Sequence, residues 1–305
     1  MAQSNLSVPY FHNEEAAYKF VEARIWPNGP ICPHCGGVER ISKMGGKSTR
    51  IGAYKCYDCR KPFTVKIGTI FESSHIHMRH WLQAIFLIAA SKKGISSNQL
   101  HRTLGITLKS AWFMSHRIRE AMKDSSGWGF LGGKGAIVEA GETFIGKVVG
   151  KKVQAGVGHK MKVMSLVQRG GKVRSVTIPD LKAKTMQEFL KGNVEPNTHL
   201  MTDEAWQYIQ AGKGFKKHSS VNHSVKEYAR GPVTTNTIEG FFSIFKRGMR
   251  GVYQHCAHQH LDRYLSEFDF RYNNRVALGV NDQKRAENLL RSVVGKRLTY
   301  ETTTH

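Results

Sequence analysis

The sequence predicts a multidomain α+β protein, and three observations carry that prediction. Two cysteine pairs, Cys32-Pro-His-Cys35 and Cys56-Tyr-Asp-Cys59, lie in the first quarter of the chain. Two helical segments separated by a glycine follow them. After Gly135 the hydrophobic period changes from helical to alternating, which indicates strands. At 305 residues the chain exceeds one typical domain and can bury a substantial core besides a small cysteine-containing module.

The cysteine pairs have the spacing of a four-cysteine zinc ribbon. Each pair has a two-residue gap, which places both sulfurs on one metal, and 20 residues separate Cys35 from Cys56. The alternative is ordinary buried or disulfide cysteines, which the repeated spacing disfavours in a chain with five cysteines. His34 could coordinate in place of one sulfur. Cys256 stands alone and is interpreted as a small core residue.

The charge of the chain indicates a polyanion as partner. There are 46 Lys and Arg against 23 Asp and Glu, a formal net charge of +23. A membrane surface is the rival partner, but the longest apolar run, Trp81 to Ala90, is about half of what a bilayer crossing requires. The first 30 residues are mixed and partly acidic, unlike a signal peptide. We therefore expect the reducing cytoplasm, where paired cysteines hold metal.

An N-terminal helix is predicted from Glu14 to Ile25, the ribbon from Pro30 to about Thr69, and a helical region from near His77. Within that region Ser96 and Gln99 have the spacing of a capping box, and Gly105 occupies a C-cap position. A second helix is predicted to begin directly after this glycine, with Thr107 as its N-cap residue. Two helices joined by a tight glycine turn indicate a helix-turn-helix.

The second of these helices is predicted to be amphipathic. One face is expected to be buried: Leu108, Ala111, Trp112, Ser115 and Met122. The opposite face offers Lys109, His116 and Arg117, which fits a recognition helix in the major groove of DNA. The alternative is an amphipathic hairpin with a solvated basic face.

Residues Trp128 to Gly135 form a glycine-rich linker into a domain of strands and helices. Predicted strands run over Ala136 to Ile145, Lys162 to Gln168, Val173 to Ile178 and Thr198 to Thr202. A helix from Thr185 to Lys191 precedes the last strand, and long helices follow it. This order predicts an α+β or α/β domain.

Two carboxylates in this domain are candidate metal ligands. Asp203 closes an apolar strand, and Glu239 opens a helix after a gap of 35 residues. Phosphoryl transfer by metal ions needs carboxylates from separate elements that hold two Mg²⁺ ions about 4 Å apart. Each residue also has an ordinary explanation, because Asp203 could cap the next helix and Glu239 could complete a capping box begun at Asn236.

The chain resembles the zinc-ribbon transposases of bacterial insertion sequences. The segments that carry the resemblance run in order through nearly the whole chain: Arg24 to Gly36, Tyr54 to Arg60, Gly68 to Phe71, Val138 to Gly146, Thr202 to Glu204, Asn236 to Gly248 and Glu267 to Asn273. The resemblance implies an RNase H-like α/β catalytic domain with a mixed sheet and an Asp-Asp-Glu triad. It also implies Mg²⁺ as catalytic cofactor, cleavage of DNA ends by water, and attack of the freed 3′ hydroxyl on target DNA.

The partners implied are double-stranded DNA at the terminal inverted repeats, target DNA, and further copies of the chain in a homo-oligomer on DNA at the nucleoid. Lys246, seven residues after Glu239, is expected to contact phosphate at the transposon end, and Arg247 beside it to contact DNA. The histidine cluster His255, His258 and His260 is more typical of phosphate contact than of metal binding.

One departure from the family affects the chemistry. Gly141 stands where the family carries the first triad aspartate, the expected bridge between two metals. A mid-strand glycine brings no structural advantage. Glu139 shares the face of Gly141 but lies roughly 6 to 7 Å away along the strand, and Glu142 points to the other face.

The predicted domains are an N-terminal helix with the ribbon (1–75), a helix-turn-helix region (76–127), the catalytic domain (128–292) and a C-terminal tail (293–305). The leading hypothesis is a transposase with impaired chemistry. The alternative is a non-catalytic DNA-binding relic or regulator derived from such a transposase.

Overall fold

The computed structural model of this chain describes residues 4–124 and 129–298. It divides into two compact units: the first joins Met1–Ser91, Ile95–Met122 and Asn281–His305, and the second joins Lys92–Gly94 and Lys123–Val280. Parts of four predicted regions lie outside the described residues: 1–3 of the N-terminal region, 125–127 of the helix-turn-helix region, Trp128 of the linker and 299–305 of the tail.

The first unit contains five helices in its described part and one small sheet. The helices are α1 (Glu14–Ile25), α2 (Met78–Ala90), α3 (Ser97–Leu104), α4 (Leu108–Met122) and α9 (Asp282–Arg291). The antiparallel sheet has the order β1 (Ile41–Lys43), β2 (Tyr54–Cys56) and β3 (Pro62–Phe63). The predicted bounds of α1 are confirmed. The side chain of Asn13 caps this helix by accepting a hydrogen bond from the Ala16 amide.

Helix α2 is the centre of this unit. Most of its apolar residues are buried, among them Trp81, Ile85 and Ile88. Helix α9 packs against it, and the Arg285 guanidinium donates to the carbonyl of Ala89 at the end of α2. The predicted catalytic domain, residues 128–292, includes the segment of α9. In the structure this helix packs with the first unit. No helix in the described residues is both long and apolar enough to cross a membrane.

The second unit is built on a five-stranded sheet, which is mixed as the resemblance implied. Its order is β6-β5-β4-β7-β8. The pairs β6·β5 and β5·β4 are antiparallel, while β4·β7 and β7·β8 are parallel. The bounds are β4 (Ile137–Ile145), β5 (Met161–Gln168), β6 (Val173–Ile178), β7 (His199–Thr202) and β8 (Lys217–Ser220). The four predicted strands are confirmed to within about one residue, and β8 was not predicted.

Helices cover both faces of this sheet. They are α5 (Ala183–Asn193), α6 (Trp206–Gly212), α7 (Asn236–Gly248) and α8 (Leu261–Asn273), and a hairpin of β9 (Ala229–Arg230) and β10 (Val233–Thr234) precedes α7. Side chains alternate along each strand. In β5, Val163 and Val167 therefore pack with the aromatic residues of α7 and α8, whereas Met164 and Leu166 pack with α5 and α6.

Helix α8 closes the open edge of β6. Three of its side chains accept hydrogen bonds from alternate backbone amides of that strand: Asp262 from Thr177, Asp269 from Ser175 and Asn273 from Val173. Asn273 also donates to the Val173 carbonyl. An unpaired edge strand is a template for aggregation, and the helix removes that hazard.

Asp269 makes the stability of this edge dependent on pH. Burial raises the pKa of its carboxyl to about 7, although the hydroxyl and amide of Ser175 both donate to it. At pH values between the pKa of Asp269 in the unfolded chain and its raised pKa in the folded protein, the folded protein binds more protons than the unfolded chain. Its free energy of unfolding therefore falls as the pH rises from about 4 to about 7, by on the order of 4 kcal/mol.

The variant Asp269→Asn should lose this dependence, because the amide oxygen still accepts from Ser175 but does not titrate. The measurement is the free energy of unfolding of both proteins from pH 5 to pH 8. The difference between the two proteins is compared, so that the pH dependence of the cysteine cluster cancels. Parallel curves would show that Asp269 is already ionised throughout this range.

Candidate functional site

The four cysteines converge on one point, as the sequence predicted. The sulfurs of Cys32 and Cys59 are 3.6 Å apart, and so are those of Cys35 and Cys56. All four sulfurs lie within 4.8 Å of one another. A tetrahedral zinc site with Zn–S bonds of about 2.3 Å has sulfur–sulfur edges of about 3.8 Å. The donor set and its geometry therefore fit a structural Zn²⁺ ion.

The chain turns directly after Cys35, and the geometry of this turn explains why two glycines follow the first cysteine pair. Gly36 has φ +77°, a left-handed conformation. A Cβ on Gly37 would lie 2.9 Å from a carboxylate oxygen of Asp58 and 3.5 Å from the sulfur of Cys35. Backbone amides of this turn donate to the sulfurs, including His34 and Cys35 to Cys32, which stabilises thiolates. The side chain of His34 does not belong to the group of converging ligand atoms, which the four cysteines form by themselves.

The ribbon has little core of its own. Its apolar cluster comprises two ligand cysteines and Phe63, with Trp26 and Tyr54 packed around them. The Tyr54 hydroxyl donates to Glu22 of α1 at 3.0 Å. So small a core does not fold unaided, which makes metal binding the main source of its stability.

We therefore expect purified protein to contain about one zinc per chain, and Cys56→Ser to lose it together with the folded ribbon. Metal analysis and proteolysis of the ribbon measure the two effects. Cys256→Ser is the matched control, because that cysteine lies in the second unit and contacts the α7–α8 core. A metal-free protein whose ribbon resists proteolysis would contradict the expectation.

Helices α3 and α4 have the local geometry that the sequence predicted. The Ser96 hydroxyl accepts from the Gln99 amide at 3.1 Å, and Thr107 accepts from the Ser110 amide at 3.1 Å. Gly105 ends α3 with φ +64°. These contacts establish the two helices and the turn, which are the parts of a helix-turn-helix.

The predicted faces of α4 are only partly correct, with three of the five residues expected in the core buried. His116 and Arg117, expected at the surface, are 1% and 6% exposed, while Trp112, expected in the core, is 38% exposed. The Arg117 guanidinium donates to the carbonyls of Ile70 and Glu72 at 2.9 and 2.7 Å. The C-terminal half of α4 is enclosed within the unit, so its basic residues bind the protein itself. Lys109, in the first turn, is exposed as predicted.

The two candidate carboxylates lie at the same end of the second unit. Asp203 directly follows β7, and its Oδ1 accepts from the Ala205 amide at 3.0 Å. Burial raises the pKa of Asp203, and the nearby charges of Glu204 and Glu239 raise it further. Since metal binding needs the ionised carboxylate, affinity at Asp203 should increase as the pH rises through that raised pKa.

Glu239 lies in the first turn of α7 beside a histidine that sequence reasoning missed. The Nε2 atom of His223 is 3.5 Å from Glu239 Oε1, and the Thr235 hydroxyl donates to the same oxygen at 2.7 Å. The alternative of a capping box begun at Asn236 is not observed, because Thr235 is the N-cap residue. His223 also influences the electrostatics of Asp203, so the three side chains share one site.

Gly141 faces α7, the helix that carries Glu239. A Cβ at this position would lie 3.3 Å from Ile238 Cδ1 and 3.4 Å from Phe242 Cε2. Its φ is not in the left-handed region, so the backbone does not require glycine. A side chain here fits only if the tip of Ile238 moves by a few tenths of an ångström. The position therefore lies against apolar side chains of α7.

Both neighbouring glutamates have partners within the protein. Glu139 shares the α7 face with Gly141, as predicted, but it is fully buried and paired with Arg169 at 2.6 Å. Glu142 lies on the other face, where the hydroxyl of buried Tyr208 donates to it at 2.7 Å. Burial raises the pKa of Glu142, and the charge of Asp203 raises it further.

The carboxylates do not form a closed ligand cluster. Within the described residues, the one group of three or more His, Cys, Asp or Glu side chains with ligand atoms inside 4.8 Å is the cysteine set. The histidines of the 255–260 segment form no such group either; His260 instead contacts the Arg263 guanidinium at 3.2 Å.

A basic cluster lies farther along α7. Burial lowers the pKa of Lys246, and the charges of Arg250 and Lys160 lower it further. Such mutual repulsion between cations is relieved by an anion. Arg247 is exposed and its guanidinium donates to the hydroxyl and carbonyl of Ser243, one turn earlier.

Two family models match the chain. The model of the transposase zinc-ribbon domain matches residues 12–62, and that of the ISXO2-like transposase domain matches residues 131–273. Together they cover more than half of the chain, including both sites. The chain belongs to the zinc-ribbon transposases of insertion sequences.

Two relatives agree with this assignment. The chain is 26% identical to an uncharacterized protein in transposable element ISH50 of Halobacterium salinarum, over 87% of this chain and 93% of the relative. It is also 26% identical to an uncharacterized transposase-like protein of Haemophilus influenzae, over 34% of this chain and 82% of the relative.

Proposed function

We propose that this transposase binds the terminal inverted repeats of its insertion sequence as double-stranded DNA, and that Gly141 impairs its phosphoryl transfer. The observation that carries the proposal is the register between the parallel strands β4 and β7. Glu139 pairs with Met201, so Gly141 and Asp203 lie two residues farther along neighbouring strands. The position expected to bridge two metals is thus beside Asp203 and faces the helix of Glu239.

Asp203 and Glu239 would hold the catalytic magnesium. Mg²⁺ prefers oxygen ligands in octahedral geometry, and a pair of carboxylates suits one ion completed by water. When bound, magnesium activates the attacking oxygen and stabilises charge on the leaving oxygen. The residues present fit a single ion and lack the bridging ligand of a two-metal site.

The DNA contacts of the first unit are assigned to the exposed start of α4. Lys109, Leu108 and Trp112 are exposed there, and Arg102 of α3 is exposed as well. In the second unit, Lys246 with Arg250 and Lys160 would hold a backbone phosphate, with Arg247 at the rim. The net charge of +23 supports the same partner. We further propose that copies of the chain assemble on the two ends and on target DNA at the nucleoid.

A second function is a DNA-binding protein without catalysis, a relic or a regulator of active copies. The observation in its favour is that Glu139 is paired with Arg169 and Glu142 is hydrogen-bonded by Tyr208, which supports a site in which no neighbour of Gly141 replaces the aspartate. Both functions require end binding, and they differ only in Mg²⁺-dependent cleavage.

Lys109→Ala should weaken DNA binding severalfold without changing thermal stability, because an exposed cation contributes to phosphate contact and little to the fold. Arg117→Ala should lower the stability of the first unit by about 2 to 4 kcal/mol, because two buried carbonyls lose a charged donor. Fluorescence anisotropy with end DNA over a range of salt, and thermal melting, separate the two effects. A stable Arg117→Ala protein with lost end specificity would restore Arg117 as a recognition residue.

Gly141→Asp should create cleavage of end DNA in Mg²⁺ or Mn²⁺, whereas the parent chain shows little or none. The added carboxylate supplies the bridging ligand, with a small displacement of Ile238. Gly141→Asn is the matched control, since it has the same shape and no charge. Adding Asp203→Asn to the restored protein should abolish cleavage again.

Two results would overturn the assignment of Gly141. Efficient cleavage by the parent chain would mean that the site is already complete, and Glu142→Gln would then test the remaining carboxylate. A Gly141→Asp protein that binds its ends and Mn²⁺ but stays inert would favour the non-catalytic function.

A further inference from the structure

A buried ion pair, Glu139 with Arg169, lies under the candidate catalytic site. Glu139 is 0% exposed, and the Nε atom of Arg169 is 2.6 Å from its Oε1. A buried carboxylate is costly unless it is paired and its remaining oxygens are hydrogen-bonded. The bonds that Glu139 accepts therefore show what it holds in place.

Glu139 caps the helix that carries Glu239. Its Oε2 accepts from the Ile238 amide at 2.9 Å, and its Oε1 accepts from the Thr237 hydroxyl at 2.8 Å. The N-cap residue of α7, Thr235, makes no side-chain cap of its own. The first turn of α7 is thus fixed by a carboxylate from strand β4, with the favourable sign for a helix N-terminus.

Arg169 holds the segment that leads into the same helix. Its two terminal nitrogens donate to the carbonyl of Pro232 at 2.7 Å and to the carbonyl of Thr234 at 2.8 Å. One of them also lies 3.2 Å from the Met201 sulfur. The pair therefore joins β4, β7 and the start of α7. Asp203 is two residues beyond Met201, and Glu239 is one residue beyond Ile238.

We propose that Glu139 and Arg169 are positioning residues that set the separation between Asp203 and Glu239. Each touches an element that carries a candidate ligand, and neither touches the ligands themselves. The metal-binding role of those two ligands rests on the proposed function, whereas the placement of α7 does not depend on it. The test therefore uses two measurements, one of the placement of α7 and one of metal binding.

The first measurement is hydrogen exchange of the Ile238 amide in Glu139→Gln. Glutamine has the shape of glutamate with one oxygen and one NH₂ group. If its oxygen stays toward Arg169, its NH₂ group faces the Ile238 amide, donor against donor. We expect exchange at Ile238 to rise about tenfold or more, consistent with the loss of one charged hydrogen bond, while exchange in α8 stays unchanged.

Glu267→Gln is the matched control. Glu267 is another fully buried glutamate in the same unit, paired with Arg271 of α8 and hydrogen-bonded by the hydroxyl of Tyr253, which lies beyond the other end of α7. This variant should speed exchange in α8 and leave Ile238 protected. The lysine in Arg169→Lys keeps the charge beside Glu139 but cannot reach both carbonyls, so hydrogen exchange at Ile238 should rise to an intermediate extent. The same variant tests the proposal if Glu139→Gln does not fold.

The second measurement is the affinity for Mn²⁺ alone, by electron paramagnetic resonance, in the Gly141→Asp protein. Glu139→Gln should weaken it about tenfold or more, as loss of outer-shell support does in metal sites, and Glu267→Gln should not. If Gly141→Asp fails to bind Mn²⁺ while Ile238 responds as expected, the proposed function fails and the positioning role stands. Unchanged exchange at Ile238, or an equal rise throughout the unit, overturns the positioning role.

Discussion

The parallel pairing of β4 with β7 is the constraint on which the catalytic unit depends. It brings the middle of one strand beside the end of the other, so that position 141 and Asp203 are neighbours although 61 residues separate them in sequence. A parallel pair needs a long crossover, here β5, β6 and α5, and these elements also supply the two apolar faces. Helix α7 then packs on one of those faces and carries Glu239 to the same end.

Most of this architecture could be predicted because its signals are local. Alternating residues identify β4, β5 and β6, and the cysteine spacing identifies the ribbon before any contact is known. Strand β8 was missed because Lys-His-Ser-Ser has no apolar alternation; its place depends on pairing with β7. The assignment of α9 to the first unit was missed for a related reason, since packing between distant segments leaves no mark in the spacing.

The error in α4 has a specific physical cause. An amphipathic pattern predicts two faces, but a helix enclosed on most sides buries polar residues and pairs them internally. Arg117 bonds to carbonyls of the segment after the ribbon, which no periodicity could indicate. Likewise Glu139 and Asp203 are both acidic residues on strands of the same sheet. Only the contacts distinguish the carboxylate that caps a helix from the one that faces the site.

If Gly141 stands at the first aspartate position, as proposed, this distinction explains how such a chain keeps its fold without that aspartate. A carboxylate near other carboxylates repels them and is desolvated, as the raised pKa of Asp203 shows, so removing one relieves the folded state. Glycine at 141 has an ordinary strand conformation and leaves the packing of Ile238 and Phe242 intact. Glu139, two residues earlier, holds the start of α7 through a buried pair whose breakage would leave a charge uncompensated. Selection on folding alone would therefore preserve Glu139 and tolerate the loss at 141, which is the combination present in this chain.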